Sequence, residues 1–268
     1  MKRLFSIVTL AIAVLLVTSC ASPPDTTASS AAQATPSAAA DQAPRQRYWV
    51  TATRVKPEMM AQFREFYLKE TLPAIQKAGT KQQSVWTTAS LGEGFEYITI
   101  RPLESLQQFD EPSAVAKGLG EEGFRKWNAK RGTLIVSSRS YITQERPELS
   151  IAPNADYVPK LAFVTRNSVA PGHAADYENF VKNDVLPILK KANPKGFSIR
   201  KVGLGGDSDG YISAALLDSF ADYEKWTAAL TKEGYGNVAA KRAGIIMHRE
   251  ITVYRYVPEL SLRPGAQK

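Results

Sequence analysis

The chain repeats itself. Arg146-Pro147-Glu148-Leu149-Ser150 returns as Val257-Pro258-Glu259-Leu260-Ser261, so Pro147 and Pro258 stand 111 residues apart. The same offset pairs Ala129-Lys130-Arg131 with Ala240-Lys241-Arg242, and Glu122-Gly123-Phe124 with Glu233-Gly234-Tyr235. Further upstream, after small length changes, Leu72-Pro73-Ala74-Ile75 pairs with Leu186-Pro187-Ile188-Leu189. A unit of domain size that occurs twice is expected to adopt one fold twice, and 268 residues give room for two domains. The repeats span 47–150 and 157–261.

Each repeat reads in the same order. Tyr48 to Val55 alternates and is rich in β-branched and aromatic residues, the pattern of a strand. Pro57 opens a helix, in which Phe63, Phe66 and Tyr67 fall at i, i+3 and i+4. Pro73 lies inside that helix and predicts a kink, because its ring removes a hydrogen bond and crowds the preceding turn. Ser84–Ser90 and Phe95–Arg101 read as strands about a Gly92-Glu93-Gly94 turn. A helical region follows, broken near Pro112, and then a long last strand over 133–143. The second copy repeats this, with Tyr177, Phe180 and Val181 replacing Phe63, Phe66 and Tyr67, and Pro187 replacing Pro73. Its last strand runs from Ile245 to Tyr256. Each unit is βαββαβ, the ferredoxin-like order of an α+β fold.

The phrases from Glu70 to Gly79 and from Asp184 to Ala192 resemble the dimeric α/β-barrel superfamily, in its NIPSNAP-like flavour. The resemblance covers both repeats. It implies two ferredoxin-like sheets packed face to face with a cavity between them, here as an intrachain pseudo-dimer. It therefore implies a monomer that needs no partner subunit.

The amino terminus carries an address. Lys2 and Arg3 precede an apolar run from Leu4 to Val17, too short to span a bilayer. Val17-Thr18-Ser19-Cys20 resembles the bacterial lipobox. This predicts a signal peptide over 1–19 and a lipid-modified Cys20. Several acyl chains give durable anchoring, since each buried methylene contributes about 0.8 kcal/mol. Ala21 after the cysteine resembles lipoproteins sent to the outer membrane, which places the chain in the bacterial cell envelope, facing the periplasm. Residues 20–46 are Ala, Ser, Thr, Pro and Gln with almost no large apolar side chain, the composition of a disordered tether. Cys20 is the one cysteine, so no intrachain disulfide forms. Loss of Lys2 and Arg3 takes the formal charge from +8 to +6, which favours anionic surfaces. No basic run with interleaved aromatics suggests nucleic acid.

Chemistry is sparse. Gly206-Asp207-Ser208-Asp209-Gly210 fits the G-x-S-x-G pattern, but it joins two strands where a nucleophile elbow needs a strand-to-helix turn. The same stretch fails as a calcium loop, because Ile212 stands where glycine is required. No zinc spacing, phosphate loop or dinucleotide fingerprint occurs, and neither a metal nor a cofactor is expected. His173 follows Pro171-Gly172 and is expected in solvent. In the last strand, alternation puts Ile246, His248, Glu250, Thr252 and Tyr254 on one face and Met247 and Ile251 on the other. The mixed face suits the space between the sheets. His248, Glu250 and Tyr254, with Arg139 from the first repeat, are the predicted ligand-binding set. The sequence names no catalytic residue. The expected function is a lipid-anchored envelope protein holding a small apolar or amphipathic ligand, or a partner, in its barrel. The alternative is a haem-using or monooxygenase-like enzyme with His248 in the cavity.

Overall fold

The computed structural model describes residues 45–263. The predicted signal peptide, Cys20 and nearly all of the predicted tether lie outside the described residues.

Eight strands form one closed antiparallel barrel. They are β1 (Arg47–Val55), β2 (Ser84–Thr88), β3 (Glu96–Leu103), β4 (Ile135–Glu145), β5 (Leu161–Val169), β6 (Phe197–Val202), β7 (Gly210–Leu217) and β8 (Ile246–Tyr256). The order round the barrel is β1-β3-β2-β8-β5-β7-β6-β4, with β4 closing on β1. Each repeat contributes four adjacent strands in the same internal order. The seams between them are short: β2 meets β8 over Trp86–Thr88, and β4 meets β6 over Thr143–Glu145. Period-2 alternation sends one set of side chains into the barrel and the other outward beneath the helices.

The helices are α1 (Met60–Phe66), α2 (Leu72–Lys77) and α3 (Ala114–Leu134) in the first repeat. The second has α4 (Ala174–Phe180), α5 (Leu186–Lys191), α6 (Phe220–Lys232) and α7 (Tyr235–Ala239). The kink predicted at each proline takes a specific form. One wide π turn precedes it, with Leu72 N–H donating to Tyr67 O in one repeat and Leu186 N–H to Val181 O in the other. Pro73 and Pro187 sit just after these turns, where the widened spacing accommodates a residue lacking an N–H.

The repeated Pro-Glu-Leu-Ser motif is a crossed latch. After β4 it forms a short 3₁₀ turn that enters the other half, where Leu149 is buried with Phe180, Val185 and Ile199. After β8 the second copy returns the exchange, and Leu260 is buried with Phe63, Phe66 and Val85. Ser150 Oγ accepts from Ile199 N–H and Ser261 Oγ from Val85 N–H, both at 2.9 Å. Charge completes each latch. Arg64 pairs with Glu259 at 2.6 Å. Buried Arg146 brings Nε within 3.0 Å of Glu178 Oε1, at an angle that makes an ion pair without a hydrogen bond. Sequence identity between the motif copies thus reflects two equivalent slots, each provided by the opposite repeat.

Candidate functional site

Two cavities among the described residues bear on function. The first lies in the second repeat, between the outer face of its sheet and its helices, and measures about 290 Å³. Phe163, Thr165 and Asn167 of β5 form part of its floor, with Tyr177, Tyr223 and Trp226 above. Tyr223 stacks on Phe163 with ring centroids 4.0 Å apart. Asn167 Nδ2 donates to the Tyr177 hydroxyl at 3.2 Å. Burial pushes that hydroxyl well above the ordinary phenol range, with Asn167 pulling it back, so Tyr177 is a neutral phenol at ordinary pH. Asn167 Oδ1 and Trp226 Nε1 are buried without hydrogen-bond partners. Such atoms are uncommon in folded proteins and cost stability unless something satisfies them. Arg242 and Arg249 also line this cavity and bring positive charge to it.

The second cavity, about 260 Å³, is inside the barrel. Its walls are mostly apolar, among them Val50, Ile98, Val164 and Ile212. Arg166 donates to the Tyr254 hydroxyl at 2.8 Å, and Tyr254 donates in turn to Glu96 at 2.6 Å. Burial raises the Tyr254 and Tyr141 hydroxyls above the usual phenol value, and Arg166 opposes it at both. Nearer the linker between repeats, the Arg200 guanidinium lies 4.0 Å over the Tyr48 ring. Pro153 and Pro159 of that linker line the same cavity.

Of the predicted ligand-binding set, only Tyr254 stands in a cavity. His248, Glu250 and Arg139 are exposed and have to be withdrawn from it. Alternation had assigned the right face: Glu250 pairs in the ladder with Arg166, which points inward. Depth was the error. β2 stops at Thr88, opposite Tyr254, so β8 from Ile246 to Ile251 runs past its neighbour. A bulge in β8 leaves Met247 unpaired opposite the Ser168–Val169 step of β5 and turns Ile246 to the helix side, away from His248. β4 overruns β6 in the same way, which leaves Arg139 at the rim, near Gly205 O at 3.4 Å. Among the described residues no ion pair joins Arg139, Glu250 and His248. His173, expected in solvent, is exposed and pairs with Asp176 at 2.8 Å.

Sequence reasoning missed Arg166, Arg200 and Asn167. A signal was present in the strand alignment, where an offset of 114 residues sets Arg166 against Ala52 and Arg200 against Trp86. A charge replacing an inward-facing apolar residue in one copy alone marks a position that the fold does not require.

No protein-family profile and no curated protein sequence matches the chain. Solved structures do. A candidate monooxygenase from Lactobacillus acidophilus aligns over 83% of this chain and 98% of its own, with a TM-score of 0.54 and 8% identity. An anthrone oxidase-like protein aligns over 80% and 92%, at 0.55 and 14%. A chlorite dismutase variant from Candidatus Nitrospira defluvii aligns over 80% and 92%, at 0.50 and 12%. At such identities the likeness is one of fold: the chain has the dimeric α/β-barrel fold, as an eight-stranded antiparallel barrel with helices outside.

The haem alternative can be tested on the residues themselves. No histidine, cysteine or methionine lines either cavity. Of the phenols in the barrel, Tyr254 is held by Arg166 and Glu96, and Tyr141 is next to Arg166. Axial ligands of haem come from imidazole, thiolate, thioether or phenolate groups. Among the described residues neither cavity offers an imidazole, thiolate or thioether to a haem, and burial keeps the Tyr177 and Tyr254 hydroxyls neutral.

Proposed function

We propose that this chain is a lipid-anchored envelope protein in which two ferredoxin-like halves make an intrachain pseudo-dimer, and that the helix–sheet cavity of the second half binds a small aromatic molecule. The observation that carries this reading is the cavity of about 290 Å³ with its buried polar atoms, Asn167 Oδ1 and Trp226 Nε1. Tyr223 and Trp226 offer ring faces for an aromatic body, the Tyr177 hydroxyl and Trp226 Nε1 offer donors to a carbonyl, and Asn167 Oδ1 offers an acceptor for a hydroxyl on the same molecule. We further propose monooxygenase-like chemistry on an aromatic ketone. Two considerations support it. The fold is shared with a candidate monooxygenase and an anthrone oxidase-like protein. Arg242 and Arg249 would also stabilise the enolate left when such a ketone gives its proton to solvent, with dioxygen as the oxidant, one of its atoms entering the product and the other leaving as water.

The test is oxygen consumption by the purified chain on addition of anthrone. Wild type should consume oxygen, and Asn167→Ala should lower the rate at least tenfold. Saturable anthrone binding without oxygen uptake would remove the enzyme and keep the binding site; absence of both removes the site. The anchor is tested separately by metabolic labelling with an acyl analogue, which should mark wild type and spare Cys20→Ala.

A further inference from the structure

We propose that the barrel interior is a second binding site, distinct from the helix–sheet cavity, for an apolar molecule bearing one carboxylate, with that carboxylate held on Arg200. Three observations combine. The first is how the space arises. At the 114-residue offset, Tyr48 and Ile100 of the first repeat become Ala162 and Ala214 in the second. All four are on the inward face, and the two alanines line the cavity. Large side chains on one wall therefore meet small ones on the other, and the barrel is hollow on the side of β5 and β7.

The second is the charge arrangement. The cavity holds two guanidinium groups, but Arg166 is already engaged: it donates to Tyr254, which hands on to Glu96. Arg200 is not. It joins no ion pair among the described residues, its Nε is buried without a partner, and its guanidinium lies over the Tyr48 ring. Glu145 stands opposite Arg200 in the ladder, yet its carboxylate accepts from the Tyr48 hydroxyl at 3.4 Å and does not close on the guanidinium. Arg200 is half-buried, with Nε shut off from water and unpaired, and a carboxylate meets guanidinium geometry with two parallel hydrogen bonds.

The third is position. Arg200 is paired in the ladder with Glu145, the last residue of β4 before the linker, and Val164 and Ile98 line the same cavity. A ligand entering beside Pro153 and Pro159 would leave its charged head near that end and its apolar body among those side chains. Arg200 replaces Trp86 of the first repeat, so the charge belongs to this one copy.

Calorimetric titration of the purified full chain with octanoate and with octan-1-ol tests this. Octanoate should bind at least tenfold more tightly than the alcohol. Arg200→Gln should abolish that preference without weakening the alcohol, and Arg200→Lys should restore part of it. Ala214→Leu, which refills the hollow with an apolar side chain, should abolish binding of both. Equal affinity for acid and alcohol in wild type would overturn the proposal. So would a preference that survives Arg200→Gln, octanoate binding that survives Ala214→Leu, or no binding to wild type.

Discussion

The two repeats share a strand order and a latch, but they differ in what lies beneath their helices. In the first, Trp127 of α3 stacks on Phe66 and Phe124 and donates from Nε1 to Thr71 Oγ1 at 2.9 Å. In the second, the residue at the 111-residue offset from Trp127 is Val238, and Val185 replaces Thr71 at 114. Where one half has an indole with a hydrogen-bond acceptor waiting for it, the other has two valines and a cavity. The helix paths follow. Ser113 caps α3 afresh after Pro112, and α3 presses on α2 so closely that a Cβ on Gly118 would meet Ala74 O at 2.0 Å. The corresponding position in the second half is Ala229, which forbids that approach. There α6 begins earlier, at Phe220, and ends at Lys232, and the turn into α7 is made at Gly234, whose φ of +81° suits glycine. One copy is packed as a core and the other is held open at the same place. That asymmetry is what duplication permits: one half can stay close-packed while the other opens a cavity.

This contrast can be broken at its strongest point. Trp127→Ala should give the first half a void like that of the second, at a cost of about 3–5 kcal/mol in urea unfolding. A loss below about 1 kcal/mol would mean that the first half can collapse around the gap. The latches come next, because they are where the halves should be alike. Leu149 and Leu260 are each about fully buried, so Leu149→Ala and Leu260→Ala should each cost about 2–4 kcal/mol. The two values should agree within about 1 kcal/mol if the slots are equivalent, and a wider gap would show that the open half grips its latch less firmly. The smallest effect is the subtlest copy of one half into the other. Thr71→Val takes away the acceptor for the Trp127 indole and should cost about 1 kcal/mol, leaving the stacking intact. A neutral result would mean that the indole finds another partner.

Much of this architecture was readable in the residues, and the reasons are local. Strand alternation placed Tyr254 inward and Ile251 toward the helices, because a two-residue period needs only one correct face to fix all the others. The prolines at 73 and 187 marked one irregular turn in each half. What escaped was anything that depends on how far one strand outruns its neighbour. His248 and Arg139 carry the right alternation but stand beyond the ends of β2 and β6, and no pattern within β8 or β4 encodes where those partners stop. Cavities escaped for a related reason. A void is the difference between side chains on separate elements, and Val238 reads as an ordinary apolar residue until Trp127 is set beside it.

The crossed latches also change what the short linker over 152–159 does. Each half lacks a piece of its own core and supplies one to its neighbour, so the halves behave as binding partners, and the linker sets the concentration at which they meet. A short covalent connection gives an effective concentration of about millimolar or above. The exchange then needs only modest affinity, and the leucines with their flanking charges add to the two strand seams and the shared barrel interior that join the halves.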